Sequence, residues 1–498
     1  SWSVAGKNQQ TLTDRIINHS LGYAHRVIER FLKGNQEKAL AKALLTGDRG
    51  SLDRDLVQAY SNTGVVHIMA ISGLHLGLIY VFLLRLFGLI PGLKRNNTLK
   101  VICVLCGIWF FAFMTGCSPS VMRAATMFSF LSLGLLKRRK VSTYNFWAAA
   151  AFILLCFNPL LLFNVGFELS FLAVLGILVV QKPIYNWLHF ENKIVDYTWQ
   201  LISVTLSAQL FTLPLCLYYF HQFPVFFILA NIIAIPLASM GLWLGVLLLI
   251  TGWIPAMASI FGGVVDFIFR IMNDYIRYIN RLDFSVWKGF LLTPFDAIVL
   301  SLFIVFLLGW LLQKDKSWLK LSLLCLVIMA GASAIRQINV GSQNKMIVYN
   351  IPNTTAVDFI TANQYSTVLF RRDQEESSNN LPEMITAREF FHSTRSGNVI
   401  SRIPVGGNEL LLNQKKILHI KTGQKFSVPD KRIRLDAIIL SGSPEVKIAD
   451  LAQSFDAEVY IFTPSNKGFQ IKKWEKECKE LLLRSHNITD AGALVMNY

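Results

Sequence analysis

Hydrophobic and polar positions divide the chain into three tracts. Residues 1–64 are polar and mixed in charge, with helix-forming stretches such as HRVIERFLKGNQEKALAKALL at 25–45. Val27, Ile28, Phe31 and Leu32 recur there at helical spacing. That spacing predicts an amphipathic helix lying on a membrane or on a helical bundle, an ordinary soluble helix being the plainer alternative. From Val65 to Arg336 the pattern is a string of apolar runs, read as spans of ~30 Å of hydrocarbon. Ten are expected, near 66–90, 98–115, 119–136, 145–158, 161–181, 198–220, 223–252, 256–280, 294–312 and 318–335. The run at 145–158 is short, and that at 223–252 carries Pro236, where a break is expected. Broken helices tend to line pathways, because their freed backbone groups need protein or water as partners. Proline kinks also occur without function.

Beyond Arg336 the period changes. MIVYNI (346–351), STVLF (366–370), ELLLN (409–413), KILHI (416–420), RLDAIILS (434–441) and AEVYIF (457–462) are short β-like runs separated by turn residues. IKKWEKECKELLLRSH (471–486) is helical in pattern, and ALVMNY (493–498) reads as a last strand. The expected fold class is therefore a polytopic α-helical membrane protein, with about ten transmembrane helices and at least one broken. A soluble α/β domain follows. The expected boundaries are 1–64, 65–339 and 340–498.

Composition agrees. Of the 498 residues 53% are hydrophobic and 16% charged, which excludes a purely soluble enzyme and a disordered chain. The net charge is +17, most of it on the apolar part. One reading is the bias of positive charge toward cytoplasmic loops; the other is a path for a polyanion. Lys94, Arg95 and Lys100, then Lys137, Arg138, Arg139 and Lys140, then Lys182 and Lys193 follow alternate spans, whereas 116–119 and 158–161 carry no Lys or Arg. The charged loops are therefore expected in the cytoplasm, together with Lys314, Lys316 and Lys320. That leaves residues 1–64 and the C-terminal domain outside. The seven cysteines offer no disulfide framework, and Cys103-x-x-Cys106 has no second pair to complete a zinc site. The chain starts Ser1-Trp2-Ser3 without a signal-peptide pattern, as a fragment of a longer protein would.

Polar residues inside apolar runs are costly, so they mark candidate chemistry. GVVHIMAISGLHLGLI (64–79) holds His67, Ser72 and His75, with Gly73 and Gly77 permitting close helix approach or a local break. In a continuous helix His67 and His75 fall roughly on one side. Histidines satisfied by neighbouring helices are the plainer reading, and no carboxylate accompanies them at zinc spacing. Arg123 stands one turn into a run. It either snorkels to the interface or lines a pathway, pairing with Glu168 or a substrate phosphate. Asn231 is the polar residue of FPVFFILANIIAIPLAS (223–239).

AKALLTGDR (41–49) with HIMAISGLH (67–75), GCSPSVMRAATM (116–127), NVGFELSFLAVLGI (164–177) and FPVFFILANIIAIPLAS resemble, block by block and in order, the ComEC-type competence family. These are the membrane channels that move single-stranded DNA into naturally transformable bacteria. The resemblance implies a permease core in the bacterial cytoplasmic (inner) membrane. In full-length relatives it is flanked by an N-terminal OB-like domain, absent here, and a C-terminal metallo-β-lactamase-like domain, expected on the outer side. That domain's nuclease site would need an H-x-H-x-D-H cluster after a strand; here LDAIILS (435–441) runs on into GSPEVKIAD, with Gly442, Pro444, Val446 and Lys447 in place of ligands. His392, His419 and His486 are isolated. The expectation is a degenerate domain with no metal, no cofactor, no catalytic residue and no enzymatic activity.

His67, Ser72, His75, Arg123, Glu168 and Asn231 are the residues expected along the DNA path, with Gly73 and Gly77 in helix packing. The implied partners are single-stranded DNA, the lipid bilayer and other competence proteins. A cytoplasmic motor ATPase is expected among these, since the chain has no GxxxxGK[ST] loop. A membrane-anchored hydrolase acting through the C-terminal domain, and a transporter of another anionic polymer, are the alternatives.

Overall fold

The computed structural model describes residues 12–136, 142–290, 292–351, 354–362, 364–371, 396–400, 409–412, 415–422 and 432–497. The basic run 137–140 and His392 lie outside them. The chain divides into two compact units, residues 1–326 and 327–498.

The first unit is helical. α1 (Leu12–Phe31), α2 (Asn35–Thr46) and α3 (Arg54–Asn62) precede the apolar helices. These are α4 (Gly73–Gly88), α6 (Asn97–Met114), α7 (Pro119–Leu136), α8 (Thr143–Phe157), α9 (Val165–Tyr185), α10 (Lys193–Phe220), α11 (Phe227–Thr251), α12 (Pro255–Asn280), α13 (Pro294–Gln313) and α14 (Lys316–Gly341), the last extending past residue 326, with a short α5 (Pro91–Arg95) between α4 and α6 and an antiparallel pair of short strands, β1 (Gln222–Pro224) and β2 (Val286–Lys288). Each of the ten apolar runs thus holds one helix. Among the described residues seven, α6 and α9 to α14, are long and apolar enough to cross a membrane; α4 and α8 are apolar but shorter, at 16 and 15 residues.

One expectation needs correction. The interruption is not at Pro236, through which α11 runs on to Thr251. It lies in the run 66–90, where a single 3-10 turn at Val66–Ile68 is followed by non-helical backbone before α4 opens at Gly73. Glycine and serine at 72–73 favour a helix start there more than one proline disfavours α11. His67 and His75 therefore do not share a continuous helix. Residues 12–62 pack on the helical bundle, one of the two placements expected for the amphipathic segment. Val27, Ile28, Leu32, Leu40, Leu44, Leu45 and Tyr60 are buried in one core with Ala234, Leu242, Phe269 and Ile276 of α11 and α12. Polar residues on α12 hold this segment: Asp266 accepts from the backbone N–H of Lys33 and Gly34, each at 2.9 Å, and Asn273 accepts from Tyr60 Oη at 2.8 Å.

In the second unit, β3 (Asn344–Val348), β4 (Thr354–Thr361), β5 (Gln364–Arg371), β6 (Ser396–Ile400) and β14 (Leu494–Asn497) form one sheet in the order β14-β3-β4-β5-β6. β7 (Glu409–Leu412), β8 (Lys415–Lys421), β10 (Ala437–Ser441), β12 (Tyr460–Phe462) and β13 (Ser485–Asn487) form the other, ordered β13-β12-β10-β8-β7 and parallel except at β7, while β9 (Ile433–Leu435) and β11 (Phe455–Ala457) make a separate parallel pair. Met346, Val348, Val357 and Phe359 of the first sheet pack face to face on Ile417, Ala437, Ile439 and Ile461 of the second. The outer face of the second sheet is covered by α15 (Ile448–Ser454) and α16 (Gly468–Glu480), through Ile448, Leu451, Ile471 and Trp474. This alternation of inward and outward side chains produces a helix–sheet–sheet order of layers.

Candidate functional site

The site builds up around the opening of α4. Ser72 is its N-cap, and the Ser72 backbone N–H donates to Nδ1 of His75 at 3.2 Å. His75 takes the position usually held by Glu or Gln in a capping box, and accepting at Nδ1 leaves the proton of the neutral ring on Nε2. Gly73 and Gly77, one turn apart, both face α7. A Cβ at Gly73 would sit 2.9 Å from Nη2 of Arg123, and one at Gly77 would sit 3.2 Å from the Phe128 ring.

Arg123 is buried in α7. Its Nε donates to Ser170 Oγ of α9 at 2.7 Å, and its guanidinium lies 5.8 Å from the centroid of the Phe171 ring. Among the described residues it forms no ion pair. The expected partner Glu168 instead accepts from Tyr219 Oη of α10, at 3.1 and 3.4 Å. Residues 168 and 170 are about 200° apart around α9, so one helix face receives the arginine and another the tyrosine. Ser170, Phe171 and Tyr219 were missed at the sequence level; the signal available was a small hydroxyl, Ser170, isolated in an apolar run.

An arginine buried without a carboxylate, beside the first turn of a helix, is an electrostatic conflict. The N-terminus of α4 carries partial positive charge, and the guanidinium adds a full one. An anion seated between them relieves both, and helix N-termini bind phosphate by this means.

The remaining candidates are placed as follows. His67 lies on the 3-10 turn and is exposed. Asn231 is buried in α11, and its Oδ1 has no hydrogen-bond partner among the described residues. Among the described residues no hydrogen bond or ion pair joins Asn231, His67 or Glu168 to Arg123.

The carboxyl edge of the parallel sheet in the second unit is where α/β folds usually hold ligands. Here it is closed. Gly442 N–H donates to Ser465 Oγ at 3.1 Å, Ser443 N–H to Asn466 Oδ1 at 2.6 Å, and Lys467 N–H to Ser443 Oγ at 2.7 Å. Asn466 Nδ2 donates to Leu440 O at 2.7 Å and Thr463 O at 3.0 Å, and Thr463 Oγ1 to Leu440 O at 3.1 Å. His419 pairs with Ser441 Oγ at 2.6 Å, and burial, aided by Lys421, lowers its pKa to about 3. Hydroxyls and an amide, already bonded to one another, do not fit a two-metal centre. Among the described residues no three His, Cys, Asp or Glu side chains gather at ligand range.

Fold and site define a multi-pass α-helical membrane protein with a C-terminal α/β unit. A family model described as Competence protein matches residues 44–316, and one described as ComEC C-terminal domain matches 346–498. The chain belongs to the competence protein family. It is 32% identical over 290 residues to ComE operon protein 3 of Bacillus subtilis, a match covering 56% of this chain and 34% of that protein. Recombination protein 2 of Haemophilus influenzae is 28% identical over 43% of this chain and 28% of its own length. Competence protein ComA of Neisseria gonorrhoeae is 26% identical over 46% and 30%. The matches span about a third of each of these relatives. No solved structure matches.

Proposed function

We propose that this chain is the membrane core of a DNA-uptake system, passing one strand across the bacterial cytoplasmic membrane without covalent chemistry of its own. The observation that carries this reading is Arg123, buried against the opening of α4 with no carboxylate among the described residues, an arrangement that a passing phosphodiester would complete. Competence names among the relatives support the same cargo. The charged loops support ten crossings with the C-terminal unit on the outer side, energy coming from a separate cytoplasmic ATPase. The helix–sheet–sheet order supports a metallo-β-lactamase-like ancestry for that unit, with its ligand edge now serving as scaffold.

Arg123→Ala is expected to abolish uptake per membrane-inserted molecule, measured with labelled DNA and quantitative immunoblotting. Arg123→Lys should retain part of the activity, because it keeps the charge and loses the planar fork. Unchanged uptake per inserted Arg123→Ala molecule would remove Arg123 from the path. Nuclease activity or a tightly held metal in the purified chain would favour the membrane-anchored hydrolase instead.

A further inference from the structure

The α1–α2 hairpin carries charge alongside a stretch of α12 whose exposed side is apolar. Tyr23 Oη donates to Leu249 O at 2.9 Å, beside the α11–α12 turn. A Cβ at Gly262 would lie 2.7 Å from Phe31 O, and Asp266 accepts from Lys33 and Gly34. Residues 23–34 therefore run alongside 249–266. Over that stretch the exposed side of α12 presents Met257, Ile260, Val264 and Phe267, an apolar stripe suited to acyl chains. The exposed side of α1 at the same depth presents Arg26, Glu29 and Arg30, with Lys33 at the turn. Charged groups facing hydrocarbon cost several kcal/mol each, and such residues face the bundle interior or a water-filled cavity.

We infer that the exposed face of α1, flanked by the half-buried Lys38 and Lys42 of α2, lines a water-filled vestibule at membrane depth, and that its occupant is the phosphodiester backbone of a DNA strand. The charge fits that occupant. Residues 23–42 hold Arg26, Arg30, Lys33, Lys38 and Lys42 against Glu29 and Glu37. Glu29 is shared by Lys38 at 3.1 Å and Lys42 at 2.6 Å, and Glu37 is buried, accepting from Asn273 at 3.3 Å. Arg26, Arg30 and Lys33 have no carboxylate partner among the described residues. A Cβ at Gly47, just after α2, would lie 2.9 Å from Thr115 O, in the turn before α7, the helix that carries Arg123. The choice of DNA as occupant rests on the function proposed above; the vestibule itself does not.

The test is cysteine accessibility in the full chain, with the native cysteines replaced. Arg26→Cys and Arg30→Cys should react with a membrane-impermeant thiol reagent at rates typical of loops. Met257→Cys, Val264→Cys and Phe267→Cys should react at least about tenfold more slowly, being shielded by lipid. Equal rates at both sets would place the whole segment outside the bilayer, and silence at 26 and 30 would mean no water reaches them; either result overturns the vestibule. Attaching an anionic adduct at 26 or 30 should then lower DNA uptake per inserted molecule. If adducts leave uptake unchanged while Arg123→Ala abolishes it, DNA does not pass this face. If neither change affects uptake, the DNA-channel reading itself fails while the accessibility result still stands.

Discussion

The two units bury polar groups for opposite ends. In the helical unit Arg123 has a hydroxyl and an aromatic ring for company but no counter-ion among the described residues, and Asn231 keeps an amide oxygen with no partner. At the carboxyl edge of the C-terminal sheet, Ser443, Thr463, Ser465 and Asn466 bond to one another and to the strand ends. Unmet polar groups in a low-dielectric interior raise the energy of the empty protein and are relieved by a ligand. Met ones add stability and leave nothing to offer a ligand. Under the function proposed above, the difference would place transport in the first unit and scaffolding in the second. Tyr460 is the partial exception in the second unit: its buried hydroxyl has no partner, and burial raises its pKa to about 12, so it remains protonated in the core.

The largest effect expected from testing this contrast is at Gly73. A methyl group there meets Nη2 of Arg123 at 2.9 Å, and that atom ends a flexible side chain, so folding should tolerate Gly73→Ala. The guanidinium, however, must move off the α4 terminus. Uptake per inserted molecule should fall nearly as far as in Arg123→Ala, with membrane insertion close to normal. Loss of insertion with normal uptake per molecule would make Gly73 a packing residue only.

In the C-terminal unit the corresponding change should act on stability alone. Asn466→Ala removes two donated bonds and one accepted bond from a buried side chain, leaving the Ser443 N–H short of an acceptor. A loss of about 2–4 kcal/mol is expected, read as lost hydrogen-exchange protection in β10 and β12 of the full chain. Uptake per molecule with an intact C-terminal unit should be unchanged. A specific loss of uptake, at unchanged protection, would mean that this edge binds cargo after all.

Much of the helical unit was legible because each apolar run is one helix, and a run of that length has few other ways to satisfy its backbone in lipid. Of the two breaks the sequence offered, the one at Ser72–Gly73 is where α4 opens, whereas α11 runs on through Pro236 because a single proline is absorbed within a long apolar helix. Glycines 73 and 77 were legible as an approach surface, since their spacing puts them on one face. The Arg123 partner was not, because choosing Ser170 over Glu168 requires knowing how α9 is rotated about its axis. In the C-terminal unit β4 escaped notice. Its buried Asp358 interrupts an apolar pattern and is supported by Tyr349 Oη at 2.8 Å and Thr367 Oγ1 at 2.6 Å, contacts that no local pattern announces.

The smallest expected effect is on stability at Asn231, and it runs opposite to function. A buried acceptor without a donor is a cost in the folded protein, so replacing the amide with an apolar side chain of similar size removes that cost. Asn231→Leu should therefore leave the protein unchanged or stabilise it by up to about 1 kcal/mol, measured by thermal unfolding in detergent. If the amide is held for a ligand, uptake per inserted molecule should fall in the same variant. A protein that is sturdier and transports less would extend the contrast between the two units to a second residue of the helical core. A destabilised variant would mean instead that Asn231 is satisfied in the membrane-embedded protein, and would leave Arg123 as the one residue on which the contrast stands.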